Sequence, residues 1–200
     1  MNRDVGRSTG SLLISRFLHI ETTEILNCQS TDKKKKMDGN VFSVRSAKSE
    51  DCEAIMSLVM ELAVHLKCEH EKKINADTLR RDGFGKNSLF HCLVAEVNKD
   101  MVGYLLYYFT YSTLVGKKAF MEDFYVKAEH RNKGIGTNLL KTAVKVFLDT
   151  DCDSMEWAVR SWNKLAVDYY KQKGAINLTE TEQFHILKLT EEAMQNLLTK

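Results

Sequence analysis

"FYVKAEHRNKGIGTNLLKTA", residues 124–143, joins two segments of different character through a basic hinge that contains two glycines. Phe124, Tyr125 and Val126 are aromatic and β-branched and read as the end of a strand. Beyond Gly134, Ile135, Leu139, Leu140, Ala143, Val144, Phe147 and Leu148 fall on one helical face, with Lys141 and Lys145 away from it. The helix therefore starts beside the glycines. A helix start presents unpaired backbone N–H groups at the positive end of the macrodipole, and a residue without a Cβ lets an anion reach them. Arg131 and Lys133 add mobile positive charge. The hinge reads as a phosphate cradle, most simply for a diphosphate, and a plain helix N-terminus with glycines for tight packing is the structural alternative. Two familiar phosphate loops are excluded: Gly134 and Gly136 lack the third glycine of the dinucleotide fingerprint, and no G-K-[ST] follows.

The rest of the chain has to supply a scaffold for that hinge. Two hundred residues, 44% of them apolar, suffice for one compact domain. The 29 Lys and Arg against 27 Asp and Glu leave a formal +2, so no overall field points to a nucleic acid or a membrane. Cys28, Cys52, Cys68, Cys92 and Cys152 are odd in number and show no C-x-x-C spacing, which disfavours a disulfide framework and a zinc site. His65, His91, His130 and His185 show no metal-ligand spacing either, so no metal is expected. No apolar run approaches the roughly 20 residues of a membrane span, and a cytoplasmic location is expected.

Residues 1–40 lack sustained periodicity and end in "DKKKKMDGN"; they read as a flexible leader, with 41–190 as the domain and 191–200 as a C-terminal tail. "VFSVRSA" reads as a strand. "SEDCEAIMSLVMELAVHL" reads as a helix with Ser49 as its N-cap. "SLFHCLVAEV", "MVGYLLYYFT" and "AFMEDFYV" follow as three strands, the first two separated by polar "NKD". After the hinge helix come "SMEWAVRS", a helix in "NKLAVDYYKQK", and a final strand pair around "AINL" and "QFHILKL". This order predicts an α/β domain whose sheet is mainly antiparallel in its first half, with two β-α-β crossings making the second half more parallel.

"EDFYVKAEHRNKGIGTNLL" has the R-x-x-G-x-G loop of the GNAT family of N-acetyltransferases. The likeness extends through "HCLVAEV", "YYFTY" and "SWNKLAVDYYKQKGA", and the chain most resembles the diamine (spermidine/spermine) acetyltransferases and their thialysine-acetylating relatives within that family. The resemblance implies a mixed, centrally splayed β-sheet flanked by helices, acetyl-CoA as co-substrate, and a homodimer. It implies that Phe124, Tyr125 and Val126 contact the acetyl-pantetheine arm, that the segment Arg131, Asn132, Lys133, Gly134, Ile135, Gly136, Thr137 holds the pyrophosphate, and that Asn163, Lys164 and Tyr170 complete the cofactor contacts.

Acetyl transfer to an amine needs a deprotonated amine, a polarised carbonyl and a proton for the departing thiolate. Glu122 is the candidate base, directly or through water. Asp123 points to the opposite face of an ideal strand unless a bulge intervenes. By the resemblance Tyr170 is the acid. The resemblance likewise implies a substrate side made of Glu122, Glu182, Trp162, Glu156, Trp157, Ala158, His65, Leu66 and Ser112, with Glu69, Glu71 and Asp82 as further acids available to an amine. The amine site departs from the spermidine/spermine pattern, because Ser112 stands for an aspartate, Leu66 for a glutamate and Phe184 for a tryptophan, and Lys72 and Lys73 add positive charge. The sequence reading is acetylation of a primary amine of a small di- or polyamine. Its alternatives are a thialysine-like or small amino-acid amine and a non-catalytic acyl-CoA-binding regulatory protein. A protein-lysine acetyltransferase recruited to chromatin by the lysine run is a third.

Overall fold

The structure, a computed structural model, describes residues 35–37, 40–182 and 185–199. The chain divides into two compact units, Met1–Ala158 and Val159–Lys200. Residues 1–34, most of the expected leader, and Phe184 lie outside the described residues.

The first unit is built on a six-stranded sheet ordered β1-β2-β3-β4-β5-β6. The strands are β1 (Lys35–Met37), β2 (Asn40–Ser46), β3 (His91–Val97), β4 (Asp100–Ser112), β5 (Gly116–Val126) and β6 (Met155–Trp157). Neighbours are antiparallel except β5 and β6, which are parallel. The paired strands thus reach back to Lys35, before the boundary read from sequence. Asn98 and Lys99 form the two-residue link between β3 and β4 with φ of 52° and 75°, the backbone that matches strand twist in a tight hairpin.

Helices α1 (Cys52–His65) and α2 (Ala76–Phe84) cover one face of the sheet. Cys52, Ile55, Leu58 and Leu79 from these helices pack with Cys92, Val94, Tyr104, Leu106 and Tyr125 from β3, β4 and β5. Each such large aliphatic side chain contributes roughly 1.5–3 kcal/mol on burial. On the other face α3 (Ile135–Asp149) buries Ile135, Leu139, Ala143 and Phe147, and Phe147 meets Tyr107 edge to face at 4.8 Å. Ser49 does not cap α1 as expected. A short 3-10 turn, Ser49–Asp51, precedes the helix, and Asp51 accepts from the Lys48 N–H at 2.7 Å while pairing with Arg45. Arg45 also pairs with Glu96, which ties β2, β3 and this turn together.

Only one of the two expected parallel crossings is present among the described residues: β5, α3, β6. In the second unit, "AINL" and the described part of "QFHILKL" form no strand; Leu178–Thr181 is instead the short helix α5. Apolar, β-branched composition favours a strand only where a neighbour completes the hydrogen-bond ladder. Ile186 and Leu187 are 94% and 89% exposed. The other helices of this unit are α4 (Lys164–Lys171) and α6 (Glu191–Leu198), the latter capped by Thr190 Oγ1, which accepts from the Ala193 N–H at 3.2 Å. No helix among the described residues is long and apolar enough to cross a membrane.

Candidate active site

Two irregularities in β5 make the site. Leu106 pairs with Asp123 and Tyr107 with Met121, so Glu122 is an extra residue, a β-bulge facing the step in β4. A bulge breaks the alternation of side chains, and Glu122 and Asp123 consequently address the same face. Tyr108 donates to Glu122 Oε2 at 3.2 Å and Tyr104 donates to Asp123 Oδ2 at 3.0 Å. Both tyrosines stand on one side of β4, two intervals apart. The bulge is the exception under which Asp123 is not expected to turn to the opposite face. Burial, followed by the nearby charge of Glu122, holds the Asp123 carboxyl above the usual carboxylate range. Burial, then Asp123, pushes the Tyr104 phenol well up.

The second irregularity is an open edge. β6 pairs with β5 only across Ala119, Phe120 and Met121. Past Met121 the side of β5 that faced β6 has no strand partner among the described residues, which is the splay expected from the resemblance. The backbone groups between Glu122 and Tyr125 that point away from β4 are left to bind something else along that edge.

The edge leads into the hinge. Asn132 and Gly134 take left-handed backbone, with φ of 58° and 75°. Gly134 is the N-cap of α3, contributes no side-chain cap, and no acid occupies the first turn. The N–H groups of Ile135, Gly136 and Thr137 thus open the helix without intrahelical acceptors, while Asn138 secures the Gly134 carbonyl through its backbone N–H (3.0 Å) and Nδ2 (2.8 Å). The Ile135 side chain is buried, so only its backbone faces the mouth. A Cβ at Gly136 would stand 3.1 Å from Phe124 Cζ and 3.7 Å from Val126 Cγ2. The packing reading of the glycines is met at Gly136, where a Cβ would crowd Phe124, and Gly134 takes a left-handed backbone at the uncapped mouth. Arg131 is less mobile than expected, because its Nε donates to the Val126 carbonyl at 2.9 Å and its guanidinium lies 5.5 Å from the centre of the Tyr125 ring. Tyr125 in turn donates to Glu61 Oε2 on α1 at 3.0 Å. Asn132 and Lys133 are exposed. These features fit a diphosphate.

Apart from Glu156, which pairs with Phe120 beside the site, the remaining substrate-side residues of the first unit are dispersed. Glu156 accepts from Lys118 Nζ at 2.5 Å. Trp157 follows it on β6, and Ala158 is exposed at the end of the unit. Ser112 Oγ accepts from the Leu114 and Val115 N–H groups at 3.2 and 3.4 Å and closes the β4–β5 hairpin. His65 ends α1 and Leu66 is its C-cap. Glu69 and Glu71 lie in an exposed 3-10 turn, and Asp82 pairs with Arg81. Considered by itself, the second unit holds Trp162, half exposed, and Asn163, whose Oδ1 accepts from the Ala166 N–H at 3.3 Å as N-cap of α4. Lys164 begins that helix, Tyr170 lies on it 5.4 Å from Tyr169 ring to ring, and Glu182 is the C-cap of α5. Burial, then Tyr169, pushes the Tyr170 phenol up, which keeps it protonated and makes proton donation steeper.

An uncapped helix mouth continuous with an open strand edge, beside a carboxylate on a bulge, is the framework of a group-transfer enzyme. The Acetyltransferase (GNAT) family matches residues 52–175. Thialysine N-epsilon-acetyltransferase of Sus scrofa is 46% identical over 165 residues, covering 78% of this chain and 97% of the relative. Spermidine/spermine N(1)-acetyltransferase-like protein 1 of Homo sapiens is 37% identical over 163 residues, 78% of this chain but 24% of that protein. Among solved structures, an integron cassette protein from the mobile metagenome of V. cholerae superposes with a TM-score of 0.65 at 19% identity, over 80% of this chain and 98% of its own. The chain belongs to the GNAT acetyltransferase family, and its chemistry is acetyl transfer to an amine.

Proposed function

We propose that this protein acetylates the side-chain terminal amine of a small amino acid of the thialysine class, with acetyl-CoA as donor. The observation that carries the catalytic part is the bulge that turns Glu122 onto Tyr108 beside the open edge of β5. The likeness to thialysine acetyltransferase, spanning nearly the whole of that relative, favours the amino-acid substrate over the polyamine expected first. Bound acetyl-CoA supplies an acetyl group activated as a thioester. The N–H groups of Ile135, Gly136 and Thr137, with Arg131, Asn132 and Lys133, hold its diphosphate, and the β5 edge from Phe124 to Val126 holds the pantetheine arm. Glu122, oriented by the Tyr108 hydroxyl, takes the proton from the incoming ammonium. Tyr170 returns a proton to the leaving sulfur, and Asn163 and Lys164 add cofactor contacts; these roles are carried from the resemblance, as is the homodimer, while the cytoplasmic location is carried from the composition.

A di- or polyamine substrate is the second reading, favoured by the likeness to the spermidine/spermine relative. A thiol-release assay with thialysine, lysine, ornithine, putrescine, spermidine and spermine separates them. Highest kcat/KM on thialysine is expected. Preference for spermidine or spermine supports the second reading, and binding of acetyl-CoA without turnover on any amine leaves a non-catalytic acyl-CoA-binding protein.

A further inference from the structure

Resting on that reading, we infer that Lys118 and Glu156 form the specificity pair that reads the α-carboxylate and α-ammonium of an amino-acid substrate while its far amine is acetylated. The register places them. Lys118 pairs with Thr110, Phe120 with Tyr108, and Glu156 on β6 with Phe120. Side chains of directly paired residues share a face, so Lys118, Phe120 and Glu156 stand on the same side of the sheet as Tyr108 and the Glu122 carboxylate it holds.

The chemistry of the pair suits a zwitterion. Lys118 Nζ donates to Glu156 Oε1 at 2.5 Å, and the two side chains remain 21% and 34% exposed. An ammonium has three donors and a carboxylate about four acceptor sites, so each partner keeps capacity for a ligand after pairing with the other. An amino acid's carboxylate and ammonium complement such a pair head to tail. A polyamine brings cations only, and Lys118 repels them. Between the pair and the base, Tyr108 and Phe120 stack with centroids 5.4 Å apart and offer an apolar floor for a methylene chain. Glu156 is level with Phe120, two residues before Glu122, or about 7 Å along the strand. An extended chain of five bonds, the length of a lysine side chain from Cα to the terminal nitrogen, covers on the order of 6 Å. The spacing therefore matches a diamino acid of about that length.

The test uses the full chain and matched substrates that differ only in the α-carboxylate: lysine against cadaverine, ornithine against putrescine, and thialysine against its decarboxylated diamine. The wild type should prefer the amino acid in each pair. Lys118→Met should lower kcat/KM for the amino acids by about tenfold or more, mainly through KM, as expected for a lost charged hydrogen bond. It should leave the diamines no worse than in the wild type and improve them to the extent that Lys118 repels their second ammonium, and Lys118→Arg should restore the preference. A wild type without preference for the carboxylated member overturns the inference, as does an equal loss on both members by a Lys118→Met protein with wild-type circular dichroism. If the wild type acetylates none of these amines, the acetyl-transfer reading itself falls and this inference falls with it.

Discussion

Glu122 and Asp123 are consecutive in sequence, yet both receive a tyrosine hydroxyl from the same side of β4, Glu122 from Tyr108 at 3.2 Å and Asp123 from Tyr104 at 3.0 Å. The bulge brings two carboxyl groups together where an ideal strand would separate them. Their environments differ: Glu122 is exposed, and Asp123 is pressed against the α1 side of the core. Adjacent acids with divergent surroundings are a recurrent arrangement where protons are moved.

That arrangement costs stability at Asp123. Its folded pKa is raised, so its favourable contribution is complete below the unfolded value of about 4 and is lost as pH rises through the folded value. At neutral pH the ionised group is a burden. Asp123→Asn keeps an acceptor for Tyr104 and removes the charge, and Tm at pH 7–8 should rise by roughly 2–4 °C. The gain should shrink towards zero near pH 4. Thermal melts across pH measure this, and a lower Tm for the variant at pH 7 contradicts it.

Glu122→Gln keeps the shape and the contact with Tyr108 but cannot accept the amine's proton. We expect kcat to fall by about 10²–10⁴, with KM for acetyl-CoA within about twofold. Tyr108→Phe should lower kcat less, because it frees the carboxylate without removing it. Steady-state kinetics on thialysine decide, and a Glu122→Gln protein with wild-type kcat removes Glu122 as the base.

Tyr170→Phe should reduce turnover strongly while calorimetry still detects acetyl-CoA. Since its phenol is pushed up, it stays protonated through the neutral range, and the alkaline limb of kcat against pH should not reflect a tyrosine of ordinary pKa. A variant with unchanged kcat sinks the acid assignment.

The hinge was legible in sequence because its signals are local: glycines, a basic residue and a helical apolar stripe starting at Ile135. The antiparallel strands were legible for the same reason, as was the short hairpin at Asn98 and Lys99. The bulge was not, because "FMEDFYV" reads as an unbroken strand, and the extra residue exists only relative to the register of β4. The Lys118–Glu156 contact joins residues far apart in the chain through a parallel pairing. It is invisible in the sequence for the same reason, although Glu156 is itself among the substrate-side candidates. The strands expected around "AINL" and "QFHILKL" show the converse, a favourable composition with no ladder partner among the described residues.

Gly136 separates packing from anion binding. A Cβ there would stand 3.1 Å from Phe124 Cζ, so Gly136→Ala requires the ring to yield slightly and Gly136→Val forces α3 away from β5. Overpacking of this kind costs about 1–3 kcal/mol. Gly136→Val should lower the denaturation midpoint and raise KM for acetyl-CoA together. At Gly134, where φ is 75°, alanine costs roughly 1–2 kcal/mol for the left-handed backbone. Urea unfolding of both variants is the measurement, and a Gly136→Val protein as stable as the wild type refutes the close packing.

Arg131 is held at two points of the same joint: its Nε donates to the Val126 carbonyl and its guanidinium lies over Tyr125, which is itself fixed to α1 through Glu61. Its charge is therefore delivered from a fixed position. A lysine would keep the charge but could not make the Nε bond or present a planar fork. If placement matters as much as charge, Arg131→Lys should raise KM for acetyl-CoA by about 5–10-fold and Arg131→Ala by more, with KM for the amine little changed in either. If charge alone matters, Arg131→Lys should behave as the wild type at low salt, and only Arg131→Ala should lose affinity. Titrating both variants with acetyl-CoA at low and high ionic strength distinguishes the two, since a purely Coulombic contribution fades with salt and the anchored fork retains most of its effect.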